Sequence, residues 1–407
     1  MKTYKVGGAV RDKLLGLPVK DCDWVVVGAT PEAMRAEGYQ QVGRDFPVFL
    51  HPVSKEEYAL ARTERKTGVG YTGFTVHAAP DVTLEQDLER RDLTINAIAQ
   101  AEDGSLIDPF QGQRDIAQKI LRHVSPAFVE DPLRVLRVAR FAARFHHLGF
   151  RVAEETQALM REIVAAGELD ALVPERVWRE FALALDTSSP QIFIATLKHC
   201  HALAVILPEV DKLYGVPQPP KYHPEIDTGL HTLMALEQAA LLCAHPEVRF
   251  AALMHDVGKG AIAKARWPYL RGHEALGVDL IESACKRLKA PNEFRDLARL
   301  TSLYHTHCHR AAHLEPAEML QALEALDAFR KPERFEQFLL ACEADARGRL
   351  GLEKNPYPQA GVMQEAYAVC NGIDIQAILA DGFRDAAIGD ELHQRRLSAL
   401  QQFLETL

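Results

Sequence analysis

Cysteine is scarce and scattered. The seven cysteines of this 407-residue chain form no C-x-x-C pair, and an odd, dispersed set indicates neither a disulfide framework nor a cysteine zinc site. No apolar run is long enough to span a bilayer, and the opening Met1-Lys2-Thr3-Tyr4-Lys5 lacks the apolar core of a signal peptide. A cytoplasmic protein with no membrane partner is expected. Repeats and low-complexity runs are absent too. Positive charge is in deficit: the net charge is −9, which argues weakly against nucleic acid. That average hides an asymmetry, because six arginines face two acids between Arg122 and Arg151. A local basic stripe is what phosphate-backbone binding needs. The rest is ordinary, with 47% hydrophobic and 25% charged residues, and the length allows roughly two to four domains with real cores.

What the chain does contain is a double glycine followed by paired acids. Gly7-Gly8-Ala9-Val10-Arg11-Asp12 precedes Asp21 and Asp23. Residues i and i+2 of a strand project from one face, and the β-branched run Trp24-Val25-Val26-Val27 reads as a short strand that holds both carboxylates rigidly. The glycine turn, with a short helix over Val10 to Leu15 after it, lets backbone N–H groups approach phosphates. Mg²⁺ takes hard oxygen ligands from one or two carboxylates plus substrate phosphates. A lone D-x-D is usually a solvated strand end; behind G-G-x-x-R-D it predicts phosphoryl or nucleotidyl transfer.

Short strands and helices alternate up to about residue 120. Tyr4 to Val6, Asp23 to Val27, Val48 to His51, Tyr58 to Arg62 and Ile98 to Gln100 read as strands; Pro31 to Glu37, Leu84 to Arg90 and Gln113 to Lys119 read as helices. From Glu130 onward the pattern is almost wholly helical, with Pro132 and Pro174 at first-turn positions. Five prolines and a glycine between Leu207 and Pro224 mark a linker. The expected organisation is a head over 1–120, a helical neck over 121–206, a further domain over 225–350 and a helical tail over 351–407.

Two stretches add chemistry to the head and neck. Leu88-Glu89-Arg90-Arg91-Asp92 places Arg91 in a turn, where its planar fork suits triphosphate oxygens. On a helix from Asp131, the residues Asp131, Arg134, Arg137, Arg140 and Arg144 recur at three- and four-residue steps and share one half of the wheel, while Val135, Leu136, Ala139, Ala142 and Ala143 take the other. A solvated basic face is the plain alternative, but this one has no lysine and opens on an acid. Cytosine and adenine each show an amino donor beside a ring-nitrogen acceptor. A carboxylate takes the amino proton while a guanidinium donates to the ring nitrogen; guanine and uracil fail both contacts. Asp131 and Arg134 are therefore expected to select C and A without a template, because a mismatched base leaves the protein groups unpaired.

G-G-x-x-R-D, D-x-D, R-R-D-x-x-x-N-A, I-D-P-F-x-G-x-x-D (Ile107 to Asp115) and E-D-x-x-R-x-x-R-x-x-R-F (Glu130 to Phe141) occur in that order. As a set they resemble the class II tRNA nucleotidyltransferases, the CCA-adding enzymes and their bacterial poly(A) polymerase relatives. The resemblance covers about residues 1 to 150. It implies an α+β, polymerase-β-like head followed by all-α neck, further domain and tail. It implies Mg²⁺ on Asp21 and Asp23, and contacts to the incoming nucleotide from Gly8, Arg11, Arg91, Asp131, Arg134, Arg137 and Arg140. Glu57, entering a neighbouring strand, is the nearby candidate for a third carboxylate. The implied partners are the tRNA acceptor end, ATP and CTP, with self-association into a homo-oligomer left open.

Downstream the chain carries His231, then His255-Asp256, His273, His305 and Asp345. Histidine with carboxylate suits divalent transition metals, and Lys259, in Val257-Gly258-Lys259, is placed to meet a phosphate. The order H…HD…H…H…D resembles the HD metal-dependent phosphohydrolases over residues 225 to 350. That likeness implies a metal on His231, His255, Asp256 and Asp345, with His273 and His305 completing a second site or binding phosphate. The ligands leave Ni²⁺, Mg²⁺ and Mn²⁺ open. Its union with the head resembles the long bacterial form of CCA-adding enzyme, which implies activity on 2′,3′-cyclic phosphates and 2′-phosphates. His307, His309 and His313 read as background in a chain of 17 histidines.

The nearest rival is a bacterial poly(A) polymerase, or an A-only or CC-only enzyme. The end Gln401-Gln402-Phe403-Leu404-Glu405-Thr406-Leu407 has no basic run of the kind used for generic RNA binding, which favours a tRNA-specific enzyme. Intact carboxylates and HD dyad oppose a non-catalytic RNA-binding protein, and the order of domains opposes a nucleotide-signalling synthetase–hydrolase.

Overall fold

The computed structural model describes residues 1–19, 21–42, 48–66 and 74–407. The chain divides into two compact units, Met1–Phe181 with Thr196–Val205, and Ala182–Ala195 with Ile206–Leu407.

The first unit is built on strands β1 (Lys2–Val6), β2 (Asp23–Val27), β3 (Gln40–Val42), β4 (Val48–Leu50), β5 (Glu57–Leu60), a hairpin of β6 (Thr63–Lys66) and β7 (Phe74–His77), then β8 (Ala99–Gln100) and β9 (Leu106–Ile107). Seven of them form one mixed sheet in the order β3-β4-β5-β2-β1-β8-β9. The β-branched run of β2 is buried on both faces. Val25 packs with Val6, Leu88 and Ala97 on one side, and Val26 with Met34, Phe49 and Leu60 on the other. Alternation along the strand thus fixes which way Asp23 points: it shares the face of Val25. β5 runs parallel to β2 with Asp23 opposite Glu57 and Trp24 opposite Tyr58, so Glu57 shares that face too. The expected strand Asp23 to Val27 is found as read; β3, β9 and the β6–β7 hairpin are additions.

The neck helix runs from Leu133 to Phe145. It does not begin at Asp131, because a 3₁₀ turn over Pro126–Glu130 comes first and Pro132 is the residue ahead of the first helical turn. Asp131 instead caps the entry, its Oδ1 accepting from the Leu133 N–H at 3.1 Å. Val135, Leu136, Ala139 and Ala143 are fully buried, as their half of the wheel requires.

The second unit is helical. Helices Thr228–Leu242, Pro246–Met254, His273–Leu288, Asn292–His309 and Pro332–Arg347 pack on one another and carry its core. The proline-rich stretch expected as a linker starts at the boundary of the units but is folded into the second one. Leu207, Leu213, Val216 and Gln218 are buried, and Thr228 donates to the Val216 carbonyl at 2.8 Å. Proline restricts φ and removes a donor; neither property forces a segment into solvent.

Gly258 is a spacing device. A Cβ there would lie 1.9 Å from the His273 carbonyl oxygen, so only glycine lets the turn after His255-Asp256 rest on the start of the His273 helix. Gly258→Ala is expected to destabilise this unit by about 1–3 kcal/mol through overpacking. Denaturant unfolding checks this, and unchanged stability would contradict the close approach.

Candidate active sites

A cavity of about 580 Å³ in the first unit gathers Gly8, Arg11, Asp23, Arg91, Asp131, Arg134, Arg137 and Arg140 in its wall. Of the residues expected at the nucleotide site, two lie outside that wall, the third-carboxylate candidate Glu57 and Asp21. Asp21 is exposed and sits two residues ahead of Asp23, just before the strand begins. Asp23 and Glu57 are exposed as well, so a hydrated cation can reach them. The donor set is all carboxylate oxygen, which fits Mg²⁺ bound jointly with substrate phosphates.

Nine arginines and three aspartates line the cavity, a surplus that suits a polyanion. Sequence reading missed four of the arginines as wall residues or left them without a role: Arg62, Arg90, Arg144 and Arg176. The signal for Arg90 is its position beside Arg91; nothing in the spacing brings Arg62 or Arg176 here.

Fixed acids hold the cations apart. Asp92 Oδ2 accepts from Arg137 at 2.8 Å and its Oδ1 accepts from Asn96 at 2.8 Å. Arg11 pairs with Asp12 at 2.8 Å and donates to Asn96, while Arg144 reaches the other oxygen of Asp12 at 2.8 Å. Arg140 bonds Glu180 at 2.5 Å, and Arg90 and Arg91 share buried Asp87 at 2.7 and 3.2 Å. Arg134 donates to the carbonyls of Ala127 and Arg90, which sets the plane of its guanidinium. The Arg140 guanidinium lies 4.3 Å from the Phe141 ring centroid, a cation–π stack. Burial opposes ionisation of Asp92, yet the Arg137 charge and the Asn96 hydrogen bond outweigh it and hold the carboxyl well below its ordinary value. Burial pushes the Arg11 guanidinium down from its ordinary value against the pull of Asp12.

Gly7 has φ +67, and a Cβ there would lie 2.8 Å from Arg91 Nη1. The double glycine therefore does two jobs: it turns the chain in the left-handed region and leaves room for Arg91.

The second unit brings together all six expected residues. His231 Nε2 lies 3.0 Å from Asp345 Oδ1 and His255 Nε2 lies 3.6 Å from the same oxygen. His273 Nε2 and His305 Nε2 lie 3.2 and 3.7 Å from Asp256 Oδ1. Ligand atoms of His231, His255 and Asp345 converge within 4.8 Å, as do those of Asp256, His273 and His305. Both groups are buried.

Backbone carbonyls aim the rings. His255 Nδ1 donates to Ala252 O at 2.7 Å, His273 Nδ1 to Leu270 O at 2.9 Å, and His305 Nδ1 to Thr301 O at 3.0 Å. A carbonyl only accepts, so each Nδ1 carries the proton and each Nε2 lone pair faces the centre. His255 Nε2 and Asp256 Oδ1 are buried without a hydrogen-bond partner. Unpaired inward donors of this kind fit a divalent metal, and histidine with carboxylate is the donor set for a transition ion. Burial drives His305 well below its ordinary value. Burial opposes charge on Asp345, but His255 and His309 hold it well below its ordinary value. His231 goes the other way: hydrogen bonds to Asp345 and Glu225 overcome burial and raise it to about 9.

A cavity of about 520 Å³ opens on this cluster, with Lys259, Arg271, Arg310 and Arg349 among its lining. Lys259 Nζ donates to Asp256 Oδ2 at 2.5 Å and to Gln218 Oε1 at 2.6 Å. His309, read as background in a chain of 17 histidines, lines this cavity and lies 2.6 Å from Asp345 Oδ2. The available signal was its place one helical turn after His305. His223 and Glu225, which converge on His231, lie in irregular chain and gave no such signal.

Comparison with known proteins finds matches along most of the chain. Family models match for "Poly A polymerase head domain" over residues 3–122, "Probable RNA and SrmB- binding site of polymerase A" over 149–214 and "HD domain" over 228–330. A curated relative from Thioalkalivibrio sulfidiphilus, named "Multifunctional CCA protein", is 62% identical over 99% of this chain and 98% of its own. A solved CCA-adding enzyme in apo form II shares the fold at TM-score 0.64 and 20% identity, covering 100% of this chain and 92% of that one. A tRNA nucleotidyltransferase solved with a primer tRNA and an ATP analogue aligns at TM-score 0.54 and 25% identity, over 87% of this chain and 95% of that one.

Asp92→Asn is expected to cost about 1–3 kcal/mol at neutral pH, since an amide removes the negative charge facing Arg137, whose other acid, Glu180, lies farther off at 3.7 Å. The carboxyl is depressed in the folded state, so its contribution is complete above the ordinary value of 3.8 and is lost as pH falls below it. Denaturant unfolding from pH 7 to pH 3 should therefore show the gap between the two proteins closing in acid; a gap independent of pH would rule out the ionised pair as its source.

Proposed function

From its membership of the multifunctional CCA protein family, we propose that the chain adds C, C and A to the tRNA 3′ end from CTP and ATP without a template, in the cytoplasm, and hydrolyses phosphate esters at a second, metal-dependent site. One observation supports the first activity above the rest: the expected neck and head residues share a single arginine-rich cavity with Asp23. Asp21 and Asp23, with Glu57 alongside, hold Mg²⁺, which when bound supplies positive charge to the attacking 3′-oxygen and the α-phosphate. Arg11, Arg91, Arg137 and Arg140 neutralise and orient the triphosphate, and their acid partners keep them from collapsing onto it. Asp131 accepts from the amino group of cytosine or adenine, and Arg134 donates to the ring nitrogen. The relative solved with primer tRNA and an ATP analogue supports the same substrates here.

In the second unit, His231, His255, Asp256 and Asp345 hold a divalent ion, with His273 and His305 toward a second position. Ni²⁺ suits this buried imidazole–carboxylate set, and a bound ion supplies Lewis-acid polarisation and an acidified water for attack on phosphorus. Lys259, Arg310 and Arg349 neutralise the phosphate. The substrates of this reading are 2′,3′-cyclic phosphates, 2′-phosphates and simple phosphomonoesters.

Purified protein given tRNA lacking CCA and each nucleotide separately should add C, C and then A. Adenosine tracts on arbitrary RNA would instead mark a poly(A) polymerase. Asp21→Ala with Asp23→Ala should abolish addition, a loss of more than a thousandfold on the order of a missing metal, while sparing phosphohydrolysis. His255→Ala should do the reverse. Loss of both activities from either folded variant would refute two separate sites.

A further inference from the structure

Asp345 divides its two oxygens between different jobs. Oδ1 faces the metal cluster, 3.0 Å from His231 Nε2 and 3.6 Å from His255 Nε2. Oδ2 faces away, 2.6 Å from His309 Nε2. The far side of that imidazole is also occupied, with Nδ1 2.8 Å from the Tyr357 hydroxyl. His309 is the last residue of helix Asn292–His309, and Asp345 lies near the end of Pro332–Arg347. Tyr357 comes from the irregular stretch ahead of Pro358–Asn371. Three separate segments thus meet in a file, Tyr357 to His309 to Asp345, that ends on the oxygen opposite the cluster.

We propose that His309 is a positioning residue for the phosphohydrolase site: it holds Asp345 Oδ2 so that the carboxylate meets the metal through Oδ1 alone. This rests on the reading of that cluster as a metal site. A carboxylate accepts and never donates when ionised, so His309 must present Nε2–H to it, and Tyr357 orients the ring from behind. A carboxylate with both oxygens free can rotate or chelate through both. With Oδ2 taken, rotation about the Cβ–Cγ bond breaks a 2.6 Å hydrogen bond. Ligating carboxylates are held by outer partners in this way, and removing such a partner costs about 10–100-fold in metal affinity or activity. The His309 side chain also keeps 19% of its exposure and lines the cavity, so it fixes the ligand from the side that substrate enters.

The test uses the full chain stripped of metal with a chelator, then titrated with Ni²⁺ and separately Mn²⁺ by calorimetry, beside kcat and KM for a 2′,3′-cyclic nucleotide. His309→Ala should weaken metal binding about 10–100-fold and lower kcat at saturating metal with little change in KM. His309→Gln restores an N–H at this position and should recover most of the affinity. Tyr357→Phe should fall between wild type and His309→Ala. Nucleotide addition to tRNA serves as the folding control and should stay at the wild-type rate. Wild-type affinity in folded His309→Ala would overturn the proposal, as would His309→Gln no better than His309→Ala. Failure of the wild-type chain itself to bind either ion would instead overturn the metal site on which the proposal rests.

Discussion

Like charges packed into one cavity repel, and the first unit depends on how that repulsion is contained. Its solution is a chain of alternating charge. Arg144 and Arg11 share Asp12; Arg11 reaches Asn96, which donates to Asp92; Asp92 takes Arg137, and Glu180 takes Arg137 and Arg140. Each acid is buried behind the arginines it serves. An arginine tethered this way has lost its rotamer freedom before substrate arrives, so binding does not have to order it. The acids also set how much positive charge faces outward, because each guanidinium spends part of its fork on its partner and presents the remainder. Without Asp92 and Glu180 the neck helix would still fold on its apolar half, but its basic face would splay.

The second unit solves a different problem, since its functional groups are buried and the cost lies in desolvation. Backbone hydrogen bonds offset part of that cost, and they orient the rings before any ion arrives. Ala252, Leu270 and Thr301 each give up a carbonyl to an Nδ1–H. All three carbonyls stand within four residues of the ring they hold, so helix and turn geometry supplies them with no dedicated side chain. Gly258 then sets the distance between Asp256 and His273. The adjacency of the H-D-x-G-K residues in the chain is a requirement of this packing: the dyad closes one helix, and the glycine lets the next turn lie against another.

Much of this was legible because it is local or periodic. The β2 strand follows from its β-branched run, and the face of Asp23 from alternation with Val25. The neck helix follows from three- and four-residue steps, and every arginine on it except Arg144 was assigned in advance to the cavity it lines. Groups supplied from afar were not legible. Glu180 lies forty residues from Arg140, and no spacing rule joins them. Glu57 needed the β2–β5 register before it could be set beside Asp23. His309 is the instructive miss. Its separation from His305 is a helical turn, a stronger reason for inclusion than the count of histidines was for exclusion. The prolines between Leu207 and Pro224 misled in the opposite direction, since composition reports backbone restriction and burial there is decided by Leu207, Leu213 and Val216.

Under the proposed reading one chain must load two kinds of metal without exchanging them, and the donor atoms show how. At the nucleotide site the described residues offer the exposed carboxylates of Asp21, Asp23 and Glu57, a set that would leave most of an ion's ligands to be supplied by water and triphosphate. Mg²⁺, abundant and tightly hydrated, suits that sharing. At the second site imidazole nitrogens predominate, aimed and buried, with Asp256 and Asp345 held ionised by their neighbours. Nitrogen donors favour the later transition ions over Mg²⁺, and burial retains an ion once bound. Selectivity therefore needs no gate or chaperone built into the fold. Where carboxylates stand alone in solvent, occupancy follows substrate; where histidines converge out of solvent, it follows the protein.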